Sequence, residues 1–362
     1  MSELRQEFVT LARKADANIS ELCRRFGISR KTAYKWLKRD NMQDQSRRPH
    51  RSPNRTPAAT EAQVLALRDR HPALGGRKIA HVLQREEGIV LAPSTITAIL
   101  HRGQRIQPHA SAAATPWQRF EHAYPNALWQ MDFKGHFALM HGRCHPLTVL
   151  DDHSRYNIVL QALGNEQRAG VQSVLHDAFC RYGLPERINV DNGSPWGDSG
   201  QGGLTALAVW LIRLGIRLSY SRPAHPQTNG KDERFHRTLK AEVLQVHTFA
   251  DLAHVQRHFD RWRYVYNHQR PHEALDMDSP VKRYQPSVRP MPSALPEIEY
   301  LDSDLVRKVQ HGGWLSLKGR EIRVSRALAG QRIACRPQDD VDGLFVLYFC
   351  HHKLGEVDLR DD

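Results

Sequence analysis

The chain has 362 residues, 40% hydrophobic and 25% charged, and its 52 Lys and Arg against 39 Asp and Glu give a net charge of +13. That length allows roughly two to four domains with an ample core, and the basic balance points to a polyanionic partner. Cys23, Cys144, Cys180, Cys335 and Cys350 form no C-x-x-C pair and Arg213 interrupts the best apolar run, so zinc fingers, disulfide frameworks and membrane spans are excluded and a cytoplasmic setting is expected.

The excess charge is not spread evenly. Residues 1–125 carry 22 Lys and Arg against 11 Asp and Glu, residues 126–285 carry 19 against 16, and the remainder 11 against 12. Nucleic-acid binding is therefore expected first in the N-terminal third.

Within residues 1–45, Ile19, Leu22, Phe26, Ile28, Ala33 and Trp36 recur at helical spacing on either side of Gly27, with the small Cys23 at the crossing. Gly27 suits a tight turn and Ser29 a helix cap, the layout of a helix-turn-helix. Its outward positions are Arg30, Lys31, Tyr34, Lys35 and Lys38, which are expected to contact DNA. Residues 46–59, rich in Arg, Pro and Ser, read as a linker.

Residues 60–103 form a second helical unit, with helices over 62–70 and 76–87 and a third opened by Pro93-Ser94. It is either a second DNA reader, with Thr95, Thr97, Ala98, His101 and Arg102 outward, or a plain three-helix packing unit. Residues 104–118 read as another linker.

From 119 to 285 the pattern changes to strands (128–133, 136–140, 144–151, 157–162), a helix over 167–182, a strand over 187–190, a helix over 204–214 and a strand over 216–220. Such an order predicts an α/β domain with a mixed sheet. Asp132 interrupts the apolar run Leu128-Trp129-Gln130-Met131-Asp132-Phe133, where a charge needs a cation or donors. Asp191 ends Arg187-Ile188-Asn189-Val190, although Asp191-Asn192-Gly193 alone is a common turn. Asp151 and Asp152 read as a turn with Arg155. Asn229, Glu233, Arg237 and Lys240 share one helical stripe, from which Asp232 lies about 100° away. Two carboxylates on strands and one on a helix, without imidazole or thiolate, predict a shared site for Mg²⁺.

Trp129-Gln130-Met131-Asp132-Phe133, Val190-Asp191-Asn192-Gly193 and His225-Pro226-Gln227-Thr228-Asn229-Gly230-Lys231-Asp232-Glu233-Arg234-Phe235-His236 together resemble the catalytic core of insertion-sequence transposases in the retroviral-integrase superfamily. The resemblance implies a ribonuclease-H-like fold and an Asp-Asp-Glu triad at Asp132, Asp191 and Glu233 that binds two Mg²⁺ ions, with Mn²⁺ as a substitute. It also implies cleavage of transposon 3′ ends and their joining to target DNA, by a homo-oligomer of at least two copies on double-stranded DNA. Asn229, Lys231, Arg237 and Lys240 are then expected to position phosphates, Lys231 from off the stripe. The 41 residues between Asp191 and Glu233 exceed the family's usual spacing. The surplus is expected in the Gly197 to Gly203 stretch.

An aromatic stripe on a long helix after Phe249 reads as core packing. Residues 300–362 alternate as short strands, predicting a small C-terminal β-barrel. The whole is a multidomain α/β chain: N-terminal helix-turn-helix domains, a ribonuclease-H-like mixed-sheet core and the barrel. A ribonuclease-H-type nuclease would have little need of two DNA-reading units, and a regulator without catalysis would not require the three carboxylates.

Overall fold

Two side-chain caps frame the first helical unit. Asn18 accepts the Ser20 and Glu21 amides at the start of α2 (Ile19–Arg25), and Ser29 accepts the Thr32 amide at the start of α3 (Arg30–Leu37), as its place after Gly27 predicts. Gly27 makes the turn with φ +59°, a conformation that side chains with a Cβ rarely adopt. The sequence reading did not anticipate α1 (Ser2–Ala12). Its Phe8 is fully buried and meets Phe26 and Trp36 edge-on, closing a three-helix core. The computed structural model describes residues 2–44, 55–106, 121–197, 203–220, 230–338, 341 and 343–360. The chain forms two units, 1–57 and 58–362, of which this is the first.

The second unit opens with α4 (Ala58–Arg70), α5 (Gly76–Glu87) and α6 (Pro93–Arg102), close to the expected helices. Val64, Leu67, Ile79, Val82, Leu83, Ile96, Ile99 and Leu100 form their shared core. Gly76 lets α5 approach α6, because a Cβ there would come within 2.6 Å of Thr97 Oγ1.

A mixed sheet follows: β1 (Trp129–Phe133), β2 (Phe137–Ala138), β3 (Arg143–Asp151), β4 (Asn157–Leu163), β5 (Arg187–Val190) and β6 (Arg217–Tyr220). The main order is β4-β3-β1-β5-β6, with β2 beside the start of β3; β1 runs antiparallel to β3 and parallel to β5. Successive side chains in β1 face opposite sides. Trp129 and Met131 enter a core with Val171, Leu175 and Phe179 of α7 (Arg168–Tyr182) and Leu207 and Leu211 of α8 (Ala206–Arg213). The other face is covered by α9 (Gly230–Leu239), a π-helical turn (Lys240–Leu244) and α10 (Leu252–His268). Their Phe235, Leu239, Val255, Phe259, Trp262 and Tyr266 pack on Leu150, Leu160 and Ala162, so the aromatic stripe of α10 is core as expected.

The C-terminal strands are β7 (Leu305–Lys308), β8 (Trp314–Leu317), β9 (Arg320–Arg323), β10 (Arg332–Pro337), β11 (Leu344–Phe349) and β12 (His352–Asp358). They form a four-stranded antiparallel sheet, β12-β11-β10-β7, and the β8-β9 hairpin, rather than one continuous hydrogen-bonded barrel. The two enclose one apolar cluster that also takes in Val209 and Ile212, the outer face of α8. A helix apolar on two faces thus joins this sheet to the core.

Candidate active site

Strand register sets the first two acids. β1 and β5 are parallel neighbours with Gln130 opposite Asn189, so two residues further on Asp132 comes alongside Asp191. Trp196, five residues past Asp191, stacks on Phe133 at 5.6 Å between ring centroids and ties that loop to β1. Asp191 is exposed and accepts the Gly193 amide at 2.9 Å, the turn that its sequence predicts. Burial first, and then the neighbouring Asp191 charge, push the Asp132 carboxyl up to about 6.

The alternation of β1 points Asp132 away from Trp129 and Met131, toward the face under α9. There His236 brings Nδ1 to 3.9 Å from Asp132 Oδ2, while its Nε2 lies 2.8 Å from Thr148 Oγ1. Thr148 donates to the Asp132 carbonyl at 2.9 Å, so the hydroxyl is left to accept from the imidazole. Burial holds His236 down at about 3, which makes it a neutral ring at physiological pH.

Glu233 does not join this cluster. It lies with Arg237 and Lys240 on the exposed stripe of the helix that the sequence predicts, whereas Asp232, Phe235, His236 and Leu239 form the buried one. Among the described residues, no group of three His, Cys, Asp or Glu side chains is placed to hold a metal ion. Bare carboxylates repel one another, and Glu233 in the first turn of α9 is free to face solvent. The donors nonetheless suit a hard divalent cation, being carboxylate oxygens, one of them on the buried and unpartnered Asp232.

Asp151 and Asp152 are structural. Asp151 is fully buried and accepts the Asn126 amide at 2.7 Å and the Ser154 amide at 2.8 Å. Asp152 accepts from Gln130 Nε2, the His122 amide and Lys231 Nζ. The expected turn with Arg155 is present, its amide donating to the Asp151 carbonyl at 3.0 Å, while its guanidinium lies 3.2 Å from Glu121.

The DNA-facing candidates divide in the same way. Arg30, Lys31, Tyr34 and Lys35 are exposed on α3 and Lys38 just after it, and Arg237 and Lys240 on or just after α9. Lys231 is turned inward onto Asp152. On α6, Thr95 is half-buried, Thr97 donates to the Pro93 carbonyl beneath Gly76, and Arg102 pairs with Glu61 at 2.8 Å. Asn229 lies outside the described residues, as do 198–202 of the expected insertion; Gly197 and Leu204 pair across that stretch. The sequence sets Asp232 aside, about 100° round the helix from Glu233, and does not single out His236 or Thr148. Phe235 and Leu239 were the available signal, since apolar residues four apart mark the inward side of α9.

Residues 122–226 and 214–280 match models of the integrase core domain, residues 3–100 a homeodomain-like domain, and residues 304–362 the C-terminal domain of IS481 family transposases. Taken together, these matches make the chain similar to insertion-sequence transposases with an integrase core. A 39.2 kDa protein of insertion element IS476 from Xanthomonas euvesicatoria is 27% identical over 64% of this chain and 66% of its own length. A 31.7 kDa protein of insertion element IS407 from Burkholderia multivorans is 31% identical over 43% of this chain. The matched part spans 54% of that relative, so about half to two thirds of these two relatives is covered. The intasome of simian T-cell lymphotropic virus bound to PP2A regulatory subunit B56 gamma aligns over 81% of this chain and 95% of that chain, with TM-score 0.39 and 16% identity. No helix among the described residues of the chain is long and apolar enough to cross a membrane.

Proposed function

We propose that the chain is an integrase-core transposase that binds the terminal inverted repeats of an insertion sequence, cleaves the DNA 3′ ends and joins them to target DNA. The observation that carries the reading is the pairing of Asp132 with Asp191 on adjacent parallel strands, close enough for one charge to disturb the other. Glu233, in the first turn of the helix that covers this sheet face, is the third member of the triad. These three acids would hold two Mg²⁺ ions, with Mn²⁺ as substitute. Such ions, when bound, activate the attacking oxygen and stabilise the leaving one.

Both steps are in-line displacements at phosphorus. In the first, a water oxygen, losing a proton, bonds to phosphorus and the bond to the 3′ oxygen breaks, that oxygen taking up a proton to become the 3′-hydroxyl. In the second, that 3′ oxygen, losing its proton, attacks a target phosphodiester and displaces the target strand's own 3′ oxygen. Arg237 and Lys240 would hold phosphates beside the triad. The exposed face of α3 would read the repeat, with a lesser share for Thr95, Thr97 and Arg102 of α6. Residues 1–45, 60–103, 119–285 and 300–362 would act as two DNA readers, the catalytic core and the C-terminal domain, with linkers over 46–59 and 104–118. Joining two ends calls for at least two copies on the DNA, in the cytoplasm at the nucleoid.

The test is strand transfer of a labelled terminal repeat into plasmid DNA with Mg²⁺ or Mn²⁺, for the wild type and Glu233→Gln. Joining by the wild type, lost in the variant while both bind the repeat, is expected. Specific binding with no cleavage or joining under either metal would refute the catalytic reading.

A further inference from the structure

The buried stripe of α9 holds a group that the triad does not use. Asp232 is 1% exposed, and among the described residues neither carboxylate oxygen has a hydrogen-bond partner. Its neighbour Lys231 gives it no hydrogen bond, the ammonium being turned onto Asp152. A buried carboxylate normally accepts several hydrogen bonds or pairs with a cation, and one with neither is costly. Asp232 also shares its side of the helix with His236, four residues on, the side whose imidazole lies 3.9 Å from Asp132. If Thr148 donates to the Asp132 carbonyl, the His236 proton sits on Nε2, and Nδ1 turns a lone pair toward Asp132. Asp132, His236 and Asp232 thus gather two carboxyls and an imidazole on the inner side of the site.

We propose that Asp232 is a fourth carboxylate of the divalent-cation site, a positioning residue that accepts hydrogen bonds from water in the shell of the ion held by Asp132. The inference rests on the metal site of the proposed function. Mg²⁺ keeps several of its waters when protein carboxylates bind it, so a carboxylate too far away to ligate directly still serves the ion. Such a role leaves direct ligation to Asp132 and its partners in the proposed site. It also gives the inner face of α9 a role separate from that of Glu233, whose stripe is left to meet DNA and the second ion.

The experiment titrates MnCl₂ into the full chain without DNA, following the thermal midpoint and the free Mn²⁺ signal by electron paramagnetic resonance. The proteins are the wild type, Asp132→Asn, Asp232→Asn and Asp232→Val, the last pair suiting a buried position in different ways. Asp132→Asn is expected to abolish the response. Both Asp232 variants are expected to fold, to melt at or above the metal-free wild type, and to need roughly 10–100-fold more Mn²⁺ for half of the response, the usual effect of losing an outer-shell partner. An unchanged Mn²⁺ midpoint in the Asp232 variants, with the response lost in Asp132→Asn, overturns this inference alone. A response unchanged in all variants, or absent from the wild type, overturns the metal site as well.

Discussion

Replacing Asp132 by Asn tests the electrostatics of the site without DNA. The Asp132 carboxyl is raised from 3.8 to about 6 by burial and then by Asp191. A displacement of that size corresponds to about 3 kcal/mol against the ionised form. The side chain is 28% exposed, and water reaching it lowers the figure to about 2 kcal/mol. A carboxyl raised in the folded state favours folding while it keeps its proton, an advantage complete below its ordinary value of 3.8 and lost as pH rises through about 6. In EDTA, Asp132→Asn should therefore be more stable than the wild type by about 2 kcal/mol at pH 8 and close to it near pH 4. Urea unfolding followed by tryptophan fluorescence from pH 4 to 8 measures the difference, since Trp129 is buried on the same strand. A difference that stays flat with pH, or a wild type the more stable at pH 8, would refute the reasoning. Saturating Mn²⁺ should reverse the order, because the cation repays only the protein that keeps both charges.

Other consequences can be read from the same structure. Arg270 and Glu242 form a pair at 2.5 Å with both side chains under 5% exposed, and Trp262 Nε1 donates to the second Glu242 oxygen at 2.8 Å. Arg270→Ala should cost about 3–5 kcal/mol by stranding the Glu242 charge, whereas Arg270→Met combined with Glu242→Leu should cost much less; thermal melts compare them. Lys35→Ala should weaken binding to repeat and unrelated DNA alike and reduce the salt slope of log K by about 1, as measured by fluorescence anisotropy at several KCl concentrations. Loss of the Ser29 cap in Ser29→Ala should destabilise α3 by about 1 kcal/mol, visible as faster hydrogen exchange of amides that follow Thr32.

Local chemistry was legible wherever neighbours in sequence settle it. Ser29 after Gly27 gave a cap and a turn, Asp191-Asn192-Gly193 gave a turn at a strand end, and the strand-helix alternation after Gln167 gave the mixed sheet. The stripes of α9 were half legible: Glu233, Arg237 and Lys240 were grouped correctly, but which side meets the sheet depends on Phe235 and Leu239 finding α10. Helix α1 escaped because its buried signal is chiefly the adjacent pair Phe8 and Val9 rather than a helical stripe, and Phe8 meets Phe26 and Trp36 only on folding.

By itself, then, the sequence determined the residue types, the order of elements and the basic N-terminal third, because periodicity, capping and charge are properties of short stretches. Only the tertiary structure decided which charges are available. Lys231 is bound by Asp152, 79 residues away in the chain, and Arg102 by Glu61, 41 away. Asp132 meets Asp191 because two strands distant in sequence pair in parallel, and Asp232 loses its solvent because α9 lies on β1. A side chain's charge is written in the sequence, but its partners and its water are set by segments that the chain brings together only on folding.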